Sequence, residues 1–319
     1  MIPVTERSLV FNLVWTRSVF TYLRYFVASQ IDQSDARFRF VANGCPPDQI
    51  QLMERFGSEH PDQVTEVLVV SSDDMIAHGV ALDRVRAIRD DGDHFCLIDP
   101  DIIATAPWVG TFADLLVDHG AVTSGKEVWS DDNLVPVGHP GVAGEHFVDR
   151  KGFVFGSPHL ALYHRDALDE TCARWGVGLG SAGPELRPDA KAAMASMGHE
   201  YLVYDTAKIV NALLQHDGHP LIHQDLPQLI HIGGLAHYLA PPAYRTTETG
   251  ETEPDWTRYD SMAARHEVTR FTARTLRALA DHEPPPEVPS GLTAPMRERL
   301  KLVRREITDL MARYGPSEN

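Results

Sequence analysis

Two aspartates close a stretch of apolar residues in the first third of the chain. The segment "FCLIDPDII" places Asp99 and Asp101 on either side of one proline, after a run typical of a buried strand. Two carboxylates about 4 Å apart repel each other by about 4 kcal/mol at an effective dielectric constant of about 20. The pair therefore either flanks a turn in open water or holds a cation between its two groups.

The elements that must position this pair lie upstream of it. Short β-rich runs alternate with amphipathic segments, which indicates strands joined by helices in a mostly parallel sheet. The runs "LVFNLVW", "RFRFVANGC" and "VTEVLVVSS" predict three strands before "HFCLI", and "SVFTYLRYFVASQI" predicts a helix. A further helix over "HGVALDRVRAIRDDGD" would have Val80, Ala81, Val85 and Ile88 on one face. Four strands with three crossings make a Rossmann-like half that ends at Asp101.

After Asp101 the regular alternation of predicted strands and helices becomes less clear. The segment "APWVGTFADLLVDHG" predicts a helix and "AVTSGKEVW" a strand, while residues 130–150 are rich in Gly, Pro, Asp and His and predict a long loop. Long loops inside compact domains are often functional. The segment "GFVFGSPHLALYHRDAL" predicts one or two strands and a helix start. In "YLVYDTAKIVNALLQHDGHPLIH" a strand and an aspartate precede a helix with the apolar stripe Ile209, Val210, Leu213 and Leu214.

The composition changes again after Pro241 and Pro242. Two predicted helices, "DSMAARHEVTRFTARTLRALADH" and "PMRERLKLVRREITDLMARYG", flank a proline-rich break, "EPPPEVPSGL". The second helix has an apolar face formed by Leu300, Val303, Ile307 and Leu310. This face packs either on the main domain or on a second copy of the chain, which would make a homo-oligomer, or the segment forms a lid over a site.

Composition narrows the classes of partner. The 319 residues are 43% hydrophobic and 23% charged, typical of a globular protein. The 45 acidic and 29 basic residues give a net charge of −16, which disfavours nucleic acid and anionic membranes as partners. Three scattered cysteines suggest neither a disulfide framework nor a cysteine zinc site. The apolar run near the N-terminus is too short to span a bilayer and unlike a secretory signal, so we expect a cytoplasmic protein.

The strand followed by Asp99-Pro100-Asp101 resembles the DxD motif of glycosyltransferases with the GT-A fold, particularly the large family 2 group. The resemblance implies an α/β fold, a Rossmann-like mixed sheet flanked by helices over residues 1–240, with a helical C-terminal extension over 241–319. Residues 1–101 would bind the nucleotide sugar and residues 102–240 the acceptor. The two carboxylates, which face the same way at positions i and i+2 of an extended turn, would hold Mn²⁺ or Mg²⁺. This cation would neutralise the leaving diphosphate.

Two downstream segments match the same family in order. Asp205 occupies the position of the base that deprotonates the acceptor hydroxyl in inverting members, although Tyr204 replaces the usual preceding glutamate. An ordinary helix N-cap is the alternative for Asp205. In "LIHIGGLAHY", His231 resembles the histidine that completes the metal shell or touches the diphosphate, and His237 is its nearest rival. Imidazole together with carboxylates suits Mn²⁺, whereas a lone histidine beside a turn is often structural.

The resemblance also implies binding residues. The turn "FVANGC" keeps Asn43 and Gly44 of the family's second-strand turn, but Ala42 stands where an aspartate usually binds the base. The residues expected to contact the nucleotide are Thr16, Arg17, Asn43, Asp73, Asp74 and Asp99. The residues expected to line the sugar and acceptor pocket are Trp129, Gly156, Ser157 and His159, with a hydrogen bond from His159 to a sugar hydroxyl. Solvated loop and core packing are the alternatives for the aspartates and for Trp129.

These features together predict an enzyme, a metal-dependent and inverting glycosyltransferase that uses a nucleotide-diphosphate sugar and a small-molecule or glycan acceptor. Two alternatives stay open. A phosphohydrolase of the haloacid dehalogenase type also uses a strand-terminal D-x-D, but its motif expects Thr or Val after a small residue and a place near the N-terminus. A scaffold that binds a nucleotide sugar without turnover would explain Ala42 and Tyr204.

Overall fold

The computed structural model describes residues 4–131, 133–239, 245–246, 252–253 and 263–315. Its first half is a run of four parallel strands with a helix in each crossover. The strands are β1 (Val10–Thr16), β2 (Arg37–Asn43), β3 (Val64–Ser71) and β4 (His94–Ile98), and the helices are α1 (Phe20–Asp32), α2 (Pro47–Glu59) and α3 (His78–Ile88). β1 pairs with β2 and β4, and β2 with β3. The carboxyl ends of β1, β2 and β4 therefore meet at one edge of the sheet.

The second half adds strands of both directions. Its elements are β5 (Ile102–Ala104), α4 (Val109–Leu115), β6 (Ala121–Ser124), β7 (Gly141–Val142), β8 (Leu160–His164), α5 (Arg165–Trp175), α6 (Pro188–Ser196), β9 (Val203–Tyr204), α7 (Lys208–His216), β10 (Leu221–His223), β11 (Leu229–His231) and α8 (Ala236–Leu239). The main sheet has the order β10-β6-β8-β4-β1-β2-β3. β8 runs antiparallel to both β4 and β6, which makes the sheet mixed.

Both faces of this sheet are buried. Alternate residues of β1 point to opposite sides: Leu13 and Trp15 join a core that includes α1 and α4, and Val14 joins the core on the α5 and α7 side. A strand that is buried on both faces reads as a continuous apolar run, and "VFNLVW" is such a run. The predicted fold class, a mixed α/β sheet flanked by helices, is confirmed.

Short strands β12 (Arg245–Thr246) and β13 (Thr252–Glu253) precede the C-terminal helices α9 (Ala263–Ala280) and α10 (Ala294–Tyr314). The four residues of the predicted apolar face of α10 are buried and belong to the same core as α1 and α9: Leu300, Val303, Ile307 and Leu310. This face therefore packs on the main domain of its own chain. The expected boundary at residues 240 and 241 lies outside the described residues.

Two local expectations differ from the structure. The inner face of α3 carries Ala81, Leu82 and Val85, whereas Val80 and Ile88 are 37% and 54% exposed, because α3 is oriented by its contacts with the sheet rather than by its own most apolar stripe. The strand expected over residues 121–129 ends at Ser124. No helix in the described part of the chain is long and apolar enough to cross a membrane.

Candidate functional site

The predicted metal ligands meet where β4 ends. The antiparallel pairing of β11 with β5 puts His231 opposite Ile102 and so beside Asp101. The Nε2 atom of His231 lies 3.3 Å from Oδ1 of Asp101 and 3.9 Å from Oδ2 of Asp99. His231 is 1% exposed and Asp101 is 5% exposed. The structure therefore brings together the three residues predicted as metal ligands, Asp99, Asp101 and His231.

The hydrogen bonds around this group fix the orientation of its side chains. Nδ1 of His231 lies 2.6 Å from the carbonyl oxygen of Gly125, so the Nδ1–H donates there and Nε2 is the ring nitrogen that faces the carboxylates. Oδ2 of Asp101 accepts the backbone N–H of Leu235 at 3.1 Å. Burial by itself would raise the pKa of Asp101, but the neighbouring His231 lowers it below the ordinary value.

His159 is a fourth member of this cluster. Its Nδ1 lies 2.8 Å from Oδ2 of Asp99, and its Nε2 lies 3.0 Å from Oε1 of Glu127. Burial disfavours the charged imidazole, but the two carboxylates outweigh burial and raise the pKa of His159 to about 10. The same contact lowers the pKa of the buried Glu127 to about 2, against its own burial. Both ring nitrogens of His159 thus contact acidic side chains, and its hydrogen bond to a sugar hydroxyl stays a prediction.

The cluster fits a divalent cation. One ligand atom each of Asp99, His159 and His231 lies within 4.8 Å of the others. Because both ring nitrogens of His159 are paired with carboxylates, the side chains left to hold an ion are those of Asp99, Asp101 and His231. Two ligands that hold one ion at about 2.1 Å and at right angles are about 3 Å apart, close to the separation of His231 from Asp101. Nε2 of His231 is buried, and its polar neighbours within the described chain are the carboxylates of Asp99 and Asp101, so the three groups can share one cation. Mixed carboxylate and imidazole donors suit Mn²⁺ better than carboxylates alone.

A cavity of about 330 Å³ opens beside Asp99 and Asp101 at the strand ends, and we call it the strand-end cavity. Thr16, Arg17 and Asn43 lie in its wall as expected. Arg17 adopts a φ of 50°, a strained conformation that is concentrated at functional sites. The rest of the wall is largely apolar and includes Val14, Val19, Leu23, Met75 and Ile76.

Three expected nucleotide contacts differ in detail. The amide of Asn43 is fully buried and exchanges two hydrogen bonds with the backbone of Ile76, at 2.8 and 2.9 Å. Asn43 therefore holds the β3–α3 loop in place rather than offering its amide to a base. Asp73 and Asp74 are exposed, and neither lies in the cavity wall, where Met75 and Ile76 stand instead. The conformation of the β3–α3 loop places Met75 and Ile76, rather than Asp73 and Asp74, in the wall of the strand-end cavity.

A second cavity of about 340 Å³ lies under the loop of residues 141–145, and we call it the loop cavity. It shares part of its wall with the strand-end cavity, through His159, Gly234, His237 and Arg265. Asp205 lies in the wall of the loop cavity, as do Glu127 and Glu145. The two cavities therefore meet beside His159 of the cluster.

Asp205 is held in the loop cavity by its backbone surroundings. Helix α7 begins at Lys208 with Ala207 at the N-cap, and Oδ1 of Asp205 accepts the adjacent N–H of Thr206 at 2.7 Å. The N-cap alternative for Asp205 is therefore wrong. A Cβ added to Gly144 would lie 2.8 Å from Oδ2 of Asp205 and 3.4 Å from Nε2 of His159. The Asp205 carboxylate and the His159 ring thus approach the same point on the loop.

The other residues expected to line the sugar and acceptor pocket are Trp129, Gly156 and Ser157, and they do not line either of these two cavities. Trp129 is 6% exposed and donates its ring N–H to the carbonyl of Ile232 at 2.8 Å, so core packing is its role. Gly156, with a φ of 70°, packs against Thr123 and Asn211. Ser157 is fully buried, and its hydroxyl accepts the N–H of His159 at 3.1 Å. Gly156 and Ser157 position the cluster and lie outside the walls of both cavities.

Sequence reasoning missed four charged side chains at this site. They are Glu127, Glu145, Lys208 and Arg265. Lys208 is fully buried, and its Nζ donates to the carbonyl of His146 at 2.8 Å and to that of Gly156. Arg265 belongs to α9 and lies 5.5 Å from the centre of the Trp129 ring. The long, polar 130–150 loop signalled Glu145, whereas no pattern in the C-terminal segment indicated that Arg265 of α9 would lie in the walls of both cavities.

Comparisons with known proteins find distant likeness in structure only. No family model and no curated protein matches the sequence. A similar solved structure is the mannosyltransferase PcManGT from Pyrobaculum calidifontis in complex with GDP-Man and Mn²⁺, 13% identical, with 97% of this chain and 76% of that chain covered and a TM-score of 0.38. Another is S. aureus TarS, residues 1–349, 9% identical, with 97% and 73% covered and a TM-score of 0.43.

A third similar structure belongs to 4-diphosphocytidyl-2C-methyl-D-erythritol synthase from Anaerococcus prevotii. It is 9% identical, with 67% of this chain and 88% of that chain covered and a TM-score of 0.36. Likeness at these values says nothing about substrate or mechanism. The function has to follow from the side chains of this chain.

Proposed function

We propose that this chain is a metal-dependent, inverting glycosyltransferase that moves a sugar from a nucleotide-diphosphate donor to an acceptor hydroxyl. One observation carries the proposal: a cluster of Asp99, Asp101 and His231 with the donor atoms for a cation lies beside the meeting point of two cavities, and the second cavity contains a carboxylate, Asp205. A transfer between two substrates needs two binding spaces that meet at the reacting bond. A cation held by these residues would supply the positive charge for a leaving phosphate at that junction.

The strand-end cavity suits the nucleotide part of the donor. Ligands of open α/β sheets bind outside the carboxyl ends of the strands, and the apolar wall matches the face of a base. The chain carries a net charge of −16, so a diphosphate needs local positive charge. Arg17 and Arg265 lie in the cavity wall, and a cation held by Asp99, Asp101 and His231 would supply Lewis-acid stabilisation of the leaving group.

The loop cavity suits the acceptor, with Asp205 as the general base. The N–H of Thr206 holds one oxygen of the Asp205 carboxylate, and the other oxygen is directed toward Gly144. In the proposed step the acceptor oxygen bonds to the anomeric carbon while the bond to the diphosphate oxygen breaks. The acceptor proton passes to Asp205, and the electron pair leaves with the phosphate. Attack on the face opposite the leaving group inverts the anomeric configuration.

Glu127 and His159 act as positioning residues in this scheme. The His159 imidazole bridges the carboxylates of Glu127 and Asp99, so the Asp99 side chain cannot rotate without breaking a charged hydrogen bond. Such bonds are roughly twice as strong as neutral ones. The ring also forms part of the wall of both cavities. It therefore couples the orientation of the metal ligands to the shape of the junction.

The proposal is tested by incubating the protein with a panel of nucleotide sugars and Mn²⁺ and following release of the nucleotide diphosphate. Slow hydrolysis of one donor without acceptor is expected, because water can occupy the acceptor space, and chelation of the cation should stop it. Binding of a nucleotide sugar with no release under any condition would indicate a scaffold. Release of inorganic phosphate instead of a nucleotide diphosphate would indicate a phosphohydrolase.

A further inference from the structure

Glu145 is a buried carboxylate in the loop cavity that the proposed transfer does not use. Its side chain is 6% exposed and lies in the cavity wall. Oε1 of Glu145 has no hydrogen-bond partner in the part of the chain that the structure describes. Burying an ionised carboxylate without a partner is costly. A ligand group that approaches this oxygen would remove that cost.

The other carboxylates of the cavity are already engaged. Glu127 contacts the His159 imidazole at 3.0 Å, and Asp205 accepts the Thr206 N–H. The buried Lys208 directs its ammonium group at two backbone carbonyls, those of His146 and Gly156. Oε2 of Glu127 is also buried without a hydrogen-bond partner, but its other oxygen is paired with His159, whereas Glu145 forms no ion pair with any basic side chain in the described part of the chain.

Electrostatics show which kind of group fits beside it. Burial raises the pKa of Glu145, and the negative charges of Glu127 and Asp205 add to that effect, while Arg265 opposes it. A neutral hydroxyl would hydrogen-bond to Glu145 without reducing the surplus of negative charge. A cation would reduce it, because the wall holds three acidic side chains, Glu127, Glu145 and Asp205, against two positively charged ones, His159 and Arg265, and a surplus of one sign of charge concentrates ligands of the other sign.

We propose that the loop cavity recognises a protonated primary amine on a sugar substrate, with the ammonium group paired to Glu145. This inference deepens the proposed glycosyl transfer and rests on it for the assignment of the cavity to sugar recognition. The amine belongs either to the acceptor or to the sugar carried by the donor. Acetylation removes the charge of an amine and adds bulk, so an N-acetyl group should bind poorly at this position.

Binding of free sugars tests the recognition without any turnover. Saturation-transfer NMR is recorded on wild-type protein with Mn²⁺ and three amino sugars, glucosamine, galactosamine and mannosamine, each beside its N-acetyl and its hydroxyl counterpart. At least one amino sugar should bind about tenfold or more tightly than both counterparts. Glu145→Gln should abolish that preference, because the amide has the same shape without the charge, and hydrogen bonds to charged groups are the stronger kind. Glu54→Gln, at an exposed position on α2, is the matched control and should keep the preference.

The inference is overturned if no amino sugar binds more tightly than its counterparts, or if Glu145→Gln keeps the preference. A second arm identifies the source of the amine, by comparing hydrolysis of nucleotide-diphosphate glucosamine and N-acetylglucosamine with Mn²⁺. A preference for the amino donor that is lost in Glu145→Gln places the amine on the donor, and equal hydrolysis with selective binding of the free amino sugar places it on the acceptor. If no nucleotide sugar is turned over but amine binding depends on Glu145, the proposed transfer fails and the amine site stands.

Discussion

Replacing Gly144 by alanine tests the role of Asp205 without changing Asp205 itself. The added Cβ would lie 2.8 Å from Oδ2 of the Asp205 carboxylate, too close for a carbon and an oxygen, but 3.4 Å from the His159 ring, an ordinary contact. Gly144 does not adopt a positive φ, so the backbone accepts alanine. The carboxylate must therefore rotate away, at a cost of about 0.5–1.5 kcal/mol for an unfavourable rotamer.

Turnover should respond far more strongly than stability. A positioned general base contributes about 10²–10⁴ in rate, so Gly144→Ala should lower Mn²⁺-dependent donor hydrolysis by about 10² or more. Asp205→Asn, which keeps an oxygen for the Thr206 N–H, should lower it by about 10²–10⁴. The double variant should be little slower than Asp205→Asn alone, since both changes remove the same group. Nucleotide-diphosphate affinity should be unchanged in all three.

Gly291→Ala is the control for the glycine change, because a Cβ at Gly291 would meet nothing within 4 Å. The reasoning is refuted if Gly144→Ala and Asp205→Asn both hydrolyse the donor at the wild-type rate. A product with retained anomeric configuration, measured by NMR, would also remove Asp205 from the role of base. In that case the metal cluster would be the part of the mechanism that still has support.

Three further predictions concern the charged residues around the site. Burial lowers the pKa of Lys208 from 10.5 to about 7, so the unfolded chain binds the extra proton between these values and Lys208 contributes stability that rises with pH across that window, by up to about 1.4 kcal/mol per pH unit. The raised pKa of His159 contributes the opposite slope between pH 6.5 and about 10, so the test compares two proteins that share it. The free energy of urea unfolding of Lys208→Met, relative to that of the wild type, should fall with this slope from pH 7 to pH 9, and a constant difference would contradict the burial of the amine. Arg265→Gln should weaken nucleotide-diphosphate binding about tenfold, and Arg265→Lys should have an intermediate affinity, both measured by calorimetry. Wild-type affinity in the Gln variant would exclude a contact between Arg265 and the phosphates. Truncation before Pro284 removes α10 but keeps Arg265, so it should lower the melting temperature and keep donor hydrolysis, whereas a folded but inactive truncation would assign α10 to the site.

The parts of this fold that were predictable depend on local patterns. Each strand of the first half is a short apolar run beside an amphipathic helix, and parallel strands carry their carboxyl ends to one edge. This logic is enough to place Asp99 and Asp101 at the end of β4 and to bring Thr16 and Arg17 near them. The same local logic identified the buried faces of α7 and α10.

The parts that were not predictable depend on long-range register. His159 reaches Asp99 because β8 inserts antiparallel between β4 and β6, a pairing that no spacing in the sequence specifies. Glu127 and Glu145 lie on irregular segments whose side-chain directions follow no period. Arg265 lies on α9, more than 160 residues after the aspartate pair, in a segment whose composition predicts an appendage. Tertiary packing, rather than local preference, set these positions.

The central claim is that the cluster of Asp99, Asp101 and His231 holds the cation that binds the donor's diphosphate. Calorimetric titration of a nucleotide diphosphate into the protein, with and without Mn²⁺, tests it most directly. Binding should require Mn²⁺ in the wild type and be lost in Asp99→Ala and in Asp101→Ala, while circular dichroism shows both variants folded. Binding of equal strength without Mn²⁺, or in both folded variants, would contradict the claim.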